Sequence, residues 1–473
     1  RGDYDGVLER VEHLRSLGVD AVKLMPLATF PGQRGWGYDG VLHFAPHPSY
    51  GEPAALARLV RALHERGIAV LLDVVTNHFG PEHNAMWSLA QVFFEPEQPT
   101  PWASGINFSI EAVNRYFDEM ARLWLGVYDM DGLRYDAWNA IPKGARHLQL
   151  ERAIEETDAL RPPEPARRTL MFLESSGNEH APLGVRGVHG RVDVLQLNFD
   201  IHRAAHALLT GERHGPYVDY QRPLIELERC LTRGFAFAAR HSEYTGGRVG
   251  DPRRPTRWPA FLNYLENHDT CGNRYLGQRH AAMVEPRRCR ALLALVALHP
   301  APLYLFAGQE WQSLAPFFFF TDFDEAFGKK VTSARLSEFE EVDWRESEAR
   351  APGPQELAAF EQSRVRWSEL DQASFAEALE ATRELLALRK RVVPQMNRNA
   401  RTKSTRRGDA LALEITPHEP WGKHYWLLAN LGDAPLARAK LGLKLRERLY
   451  RSADAQGHDD STTLAPWCTE LWL

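Results

Sequence analysis

Seven short apolar runs, each followed by a longer stretch with helical spacing, limit this chain to very few architectures. The runs are 20–27 (DAVKLMPL), 69–75 (AVLLDVV), 132–137 (GLRYDA), 169–174 (TLMFLE), 194–199 (VLQLNF), 260–265 (AFLNYL) and 302–307 (PLYLFA). Between the first two, residues 52–66 place Leu56, Leu59, Val60 and Leu63 on one helical stripe, which stops at Gly67. Strands that alternate with helices and are apolar on both faces belong to a parallel sheet covered by helices, the α/β class. A (β/α)8 TIM barrel fits, and such a barrel closes with eight strands. Seven are visible. A first helix over 4–17 needs a strand before it, so the first strand is expected upstream of Arg1; the alternative is that another segment fills the gap.

Beyond residue 307 the pattern changes. Residues 317–366, headed by Phe317-Phe318-Phe319-Phe320, read as irregular, and a helix is expected over 372–391. Short alternating strands follow at 410–415, 424–428 and 469–473, the mark of a small C-terminal antiparallel β domain. The expected division is a catalytic barrel over 1–391 and a β domain over 392–473, with a Pro/Arg-rich loop at 161–168.

Charge and cysteine content remove several function classes. The chain carries 57 Lys+Arg against 62 Asp+Glu, a net of −5. Without concentrated basic runs it lacks the means to displace counterions from a phosphate backbone, so no nucleic-acid partner is expected. No apolar run of 18 residues spans a membrane, and the N-terminus has no signal pattern. Cys230, Cys271, Cys289 and Cys468 show neither metal-site nor disulfide spacing. Free thiols and a cytoplasmic location are the expectation.

In a barrel of this kind the chemistry sits at the C-terminal ends of the strands. Polar residues gather there: Asp73 to His78 (DVVTNH), Arg134-Tyr135-Asp136, Glu174-Ser175 and Glu266-Asn267-His268-Asp269. One such Asp would be an ordinary helix cap; four polar strand ends on one face call for another explanation. Several carboxylates facing one substrate suit glycoside hydrolysis, with one as nucleophile and another as proton donor. Arg134 lies two residues before Asp136, on the same face of the strand, and keeps that carboxylate ionised as a nucleophile needs. Glu174 follows the apolar run Leu170-Met171-Phe172-Leu173, surroundings expected to favour its protonated form. Asp269 is placed to clamp sugar hydroxyls.

These residues resemble the α-amylase family of retaining glycoside hydrolases, whose four motifs occur in order as DVVTNH (73–78), GLRYDAWN (132–139), FLESSGN (172–178) and ENHDT (266–270). The resemblance implies Asp136 as nucleophile, Glu174 as acid/base and Asp269 as the transition-state-stabilising carboxylate. It implies His78, Arg134 and His268 around the sugar at the cleavage point and Tyr38 of WGYDG (36–40) as its stacking partner. Trp36, Trp102, Trp138, Asn139 and Arg274 join them as substrate-binding candidates, with core packing the competing reading for the tryptophans. The stretches LMPLATFPGQRGWGYDGV (24–41), HALLTGERHGPY (206–217) and PFFFFTDF (316–323) are similar to the trehalose-releasing branch of the family. That likeness implies a maltooligosyltrehalose or other α-glucan substrate and no metal or organic cofactor. Asn77, a calcium ligand in some relatives, is read as a hydrogen-bonding residue. The chain departs from the family at Thr76, Asn139 and Thr270, where Tyr, His and Gln are usual, and at Ser175-Ser176-Gly177. Asn139 and Thr270 fall near the departing sugar, so leaving-group selection is where a difference is expected. Transfer to a sugar hydroxyl, as in a branching enzyme, and a noncatalytic carbohydrate-binding barrel are the other function classes.

Overall fold

All seven runs are strands in the computed structural model. It describes residues 2–160, 168–185, 190, 192–252, 257–341, 350–396, 399–418, 422–452 and 462–473. Most of the expected loop at 161–168 lies outside the described residues. The strands are β1 (Ala21–Leu24), β2 (Ala69–Val74), β3 (Gly132–Tyr135), β4 (Thr169–Leu173), β5 (Val192–Leu197), β6 (Phe261–Tyr264) and β7 (Leu303–Tyr304). By contact density the chain divides into two units. One comprises Arg1–Leu197, Phe319–Glu338 and Ala351–Glu361; the other comprises Asn198–Phe318, Phe339–Arg350 and Gln362–Leu473.

The first unit carries β1 to β5, which pair in parallel. The register sets Asp73 opposite Arg134 and Arg134 opposite Phe172. The helix Pro53–His64 turns Leu56, Leu59, Val60 and Leu63 into the core, where they join Val70, Leu72, Leu133, Met171, Leu173 and Val194. Gly132 opens β3 because nothing larger fits: a Cβ there would stand 2.0 Å from the carbonyl oxygen of Leu170. The helix expected over 4–17 is two helices, Tyr4–Leu8 and Val11–Leu17, because Arg10 leaves helical geometry (φ −107°, ψ 4°).

The second unit carries β6 and β7, paired in parallel, and a five-stranded sheet. That sheet comprises β8 (Arg401–Arg407), β9 (Ala410–Thr416), β10 (Tyr425–Asn430), β11 (Arg448–Arg451) and β12 (Cys468–Trp472). Its order is β8-β9-β10-β12-β11, all antiparallel. The helix expected over 372–391 runs Ala373–Met396, with Pro394 in its last turn. The stretch read as irregular, 317–366, contains the helices Glu325–Glu341 and Leu357–Gln362. The first starts where the Asp324 carboxylate accepts the N–H groups of Ala326 and Phe327, a capping signal hidden among mixed charges. All four cysteines are free, and no described helix is long and apolar enough to cross a membrane.

Candidate active site

The site in the first unit is built around one guanidinium. Arg134, fully buried on β3, donates through Nη1 to Asp73 Oδ1 (2.7 Å) and Asp136 Oδ1 (2.8 Å), and its Nη2 pairs with Glu174 Oε2 at 2.7 Å. Lys23 on β1 reaches the other Asp73 oxygen at 2.7 Å, so two cations face three carboxylates. Burial works against a charged guanidinium, but the carboxylates of Asp73, Glu174 and Asp136 outweigh it and hold Arg134 protonated far above its ordinary range. Buried charges need such pairing, since an isolated one costs several kcal/mol.

The two carboxylates of the expected catalytic pair are also tied through the backbone. Asp136 donates its N–H to the Val74 carbonyl (3.0 Å), which carries the ladder one residue past β3. Ala137 then turns into the left-handed region (φ 40°, ψ 46°). This aims its N–H at Glu174 Oε2 (2.7 Å), and Trp138 N–H at the Glu174 carbonyl (2.8 Å). The apolar surroundings expected for Glu174 are therefore corrected: Met171 and Leu173 of its strand lie in the core, while the carboxylate meets Arg134 and the Ala137 amide. Asn77 donates to both Asp136 Oδ2 (3.1 Å) and the Asp136 carbonyl (3.2 Å), as its hydrogen-bonding reading requires.

Tyr38 and His78 flank this cluster. Tyr38 donates its hydroxyl to Asp73 Oδ2 (2.9 Å) and accepts from Arg134 Nη1 (3.3 Å). His78 Nε2 lies 3.1 Å from the Tyr38 carbonyl, and its Nδ1 contacts Asn77 Oδ1. Burial pushes the His78 imidazole down to about 4, against the hydrogen bond to the Tyr38 carbonyl. Trp102, 51% exposed, stacks on His78 with ring centroids 5.2 Å apart. An exposed face over a polar site is suited to a pyranose ring.

The other two tryptophans are corrections. Trp138 is 1% exposed and belongs to the hydrophobic core, with its ring edge-on to Tyr135. Trp36 is buried edge-on to Phe319. Neither offers a face to a sugar. Asn139 is exposed just past the turn, and its Oδ1 accepts the Ser176 N–H at 3.4 Å. Sequence reasoning assigned no role to Asp73 or Lys23. The available signal was Lys23 itself, a charge inside an apolar strand that demands a buried carboxylate.

In the second unit the one-turn helix His268–Gly272 follows β6 and carries Asp269. His268 is buried, with Nε2 3.4 Å from Asp269 Oδ1. Arg274 is corrected as a substrate-binding candidate: it is buried in a two-point ion pair with Glu212 (Nη2 to Oε1 2.8 Å, Nη1 to Oε2 3.0 Å). Thr270 is likewise committed within its own helix, to a reciprocal capping box with Asn267. Among the described residues one group has metal-ligand spacing, Glu82, His83 and Asp324, with donor atoms within 4.8 Å of one another. Its Asp324 carboxylate already caps a helix.

Known proteins are similar to this chain in sequence and fold. A family model for the alpha amylase catalytic domain matches residues 1–103. The chain is 37% identical over 401 residues to a malto-oligosyltrehalose trehalohydrolase of Arthrobacter ramosus, covering 82% of this chain and 68% of that protein. It is 33% identical over 470 residues to one from Deinococcus radiodurans, covering 98% of this chain and 75% of that protein. A crystal structure of a putative alpha amylase from Salmonella typhimurium superimposes with a TM-score of 0.89 at 31% identity, covering 99% of this chain and 78% of that one. The fold is accordingly of the (β/α)8 barrel class with a C-terminal antiparallel β sheet. With relatives at this identity over most of their length, the chain belongs to the malto-oligosyltrehalose trehalohydrolase family, glycoside hydrolases of the alpha-amylase family.

Proposed function

We propose that the chain hydrolyses the α-1,4 bond between a maltooligosaccharide and its terminal trehalose unit, with retention of configuration. The observation that carries this reading is the shared guanidinium: Arg134 touches Asp136 at 2.8 Å and Glu174 at 2.7 Å. A single guanidinium between two carboxylates suits the close spacing of a retaining pair, about 5–5.5 Å, and leaves little room for the water that an inverting pair must hold. In the first step the Asp136 carboxylate bonds to the anomeric carbon as the bond to the trehalose oxygen breaks, and Glu174 gives that oxygen its proton. In the second, Glu174 takes a proton from water, whose oxygen bonds to the anomeric carbon as Asp136 departs. Asp269 supports the oxocarbenium-like transition state. Tyr38, His78 and Trp102 hold the sugar at the cleavage point, and Asn139 contacts the leaving group.

Two substrates of equal length test this reading: maltooligosyltrehalose and a plain maltooligosaccharide. The expected result is free trehalose from the first and much slower cleavage of the second. Longer or branched chains would point to transfer onto a sugar hydroxyl, and equal rates would point to a general α-1,4-glucan hydrolase. Binding without turnover would leave only a carbohydrate-binding role.

A further inference from the structure

Asp269 rides on an element that does not stabilise itself. The helix His268–Gly272 has five residues, far below the roughly 12–15 at which an isolated helix becomes even marginal in water. Its orientation, and that of the carboxylate it carries, depends on what holds its two ends.

The N-terminal end is locked by Thr270, whose hydroxyl accepts the Asn267 N–H (2.9 Å), while Asn267 Oδ1 accepts the Thr270 N–H (2.8 Å). At the other end Asn273 and Arg274 close the turn by donating to the carbonyls of Asp269 (2.9 Å) and Cys271 (3.1 Å). Arg274 is then gripped at two points by Glu212, in the loop after the helix Phe199–Thr210.

Glu212 is itself set by a buried chain. Its Oε2 lies 2.8 Å from His206 Nε2, His206 Nδ1 lies 2.9 Å from His280 Nε2, and the His280 backbone N–H donates to the Glu266 carboxylate. Burial pushes His206 down to about 4 and His280 down to about 3, so both rings are neutral at pH 7. A neutral ring has one N–H, and the carboxylate can only accept. His206 therefore donates to Glu212 through Nε2, and His280 donates to His206 through Nε2. The chain starts at Glu266, three residues before Asp269, and ends at Arg274, five residues after it, so it braces the segment on both sides.

We propose that Glu212 and Thr270 are positioning residues: they act on turnover by fixing the helix that aims Asp269, without touching the substrate. The inference rests on the reading of Asp269 as a catalytic carboxylate. It reassigns Thr270 from leaving-group contact to alignment.

A double-mutant cycle tests it. Glu212→Gln and Thr270→Val are each made alone and in an Asp269→Asn background, and kcat and KM are measured on maltooligosyltrehalose. Misplacement of a reacting group by about 1 Å costs on the order of a hundredfold. Each single variant should therefore lose about 10- to 100-fold in kcat with KM within about twofold, and Thr270→Ser should restore the rate. In the Asp269→Asn background the same substitutions should cost less than about twofold, because residues that act through one another are not additive. Equal losses in both backgrounds would overturn the positioning role, as would a Thr270→Ser variant no better than Thr270→Val. Glu212→Gln and Thr270→Val brace opposite ends of the helix, so the cycle can be completed with either if the other fails to fold. Wild-type turnover in Asp269→Asn alone would instead overturn the reading of Asp269.

Discussion

Arg134 connects more of this site than any other side chain, and its chemistry cannot be supplied by another cation. A guanidinium presents donors in a fixed fork, whereas an ammonium is a point charge that cannot span Asp73, Asp136 and Glu174 together. Arg134→Lys should lower kcat about a hundredfold or more through misalignment of the pair and cost about 1–3 kcal/mol of stability through an unsatisfied buried acceptor. Steady-state rates and urea unfolding measure the two separately. Asn139 predicts a change of specificity. Its amide is exposed, and with a larger donor in its place Asn139→His should raise the preference for maltooligosyltrehalose over an equal-length maltooligosaccharide roughly 2- to 13-fold in kcat/KM. An unchanged ratio would remove Asn139 from leaving-group recognition. The strand-end residues gathered at the candidate site were legible in the sequence because they interrupt apolar runs, as Asp136 and Glu174 do. The partners of Arg134 across the sheet were not. Asp73 faces it only through the register of β2 on β3, a long-range fact that local pattern does not contain. Arg274, Trp36 and Trp138 misled for a related reason: side-chain type does not reveal which neighbour has already claimed the donor or the ring face.

At the scale of elements, the barrel strands announced themselves because they read as continuous apolar runs, and β2 to β6 are largely buried on both faces. The strand β8, RTKSTRR, did not, since a polar edge strand has no apolar alternation and its charges serve to discourage further pairing. The break at Arg10 was also invisible, because both halves of that segment have helical composition and only the backbone at one residue departs. The meeting of β3 and β4 gives a sharp prediction. With the Leu170 carbonyl oxygen 2.0 Å from any Cβ at position 132, Gly132→Ala must push the two strands apart or fail to pair. A loss of about 3 kcal/mol or more is expected, and chemical denaturation beside the wild type measures it. Because these strands carry Asp136 and Glu174 at their ends, activity should fall further than the loss of folded protein accounts for.

For the whole molecule, the buried histidines set the pH response. His43, His280 and His299 are pushed down to about 3, and His78 and His206 to about 4, each chiefly by burial. Below the ordinary histidine value near 6.5 the unfolded chain takes up protons that these folded sites refuse, so stability falls with pH from about 6.5 toward 4. Glu212 adds to this on the acid side. Burial opposes its ionised form, but His206 and Arg274 win and hold it below the usual range, so its contribution is also lost as pH falls. Calorimetry should show a lower Tm at pH 5 than at pH 7.5, and a flat or rising Tm on acidification would contradict the buried-histidine account. The central claim is that Asp136 and Glu174 cleave maltooligosyltrehalose by double displacement. It is tested most directly by following the reaction by proton NMR from the first turnover. The account predicts trehalose resonances appearing together with the α-anomer of the shortened maltooligosaccharide, the β-anomer growing only later by mutarotation. A β-anomer formed first, or consumption of substrate without trehalose, would contradict it.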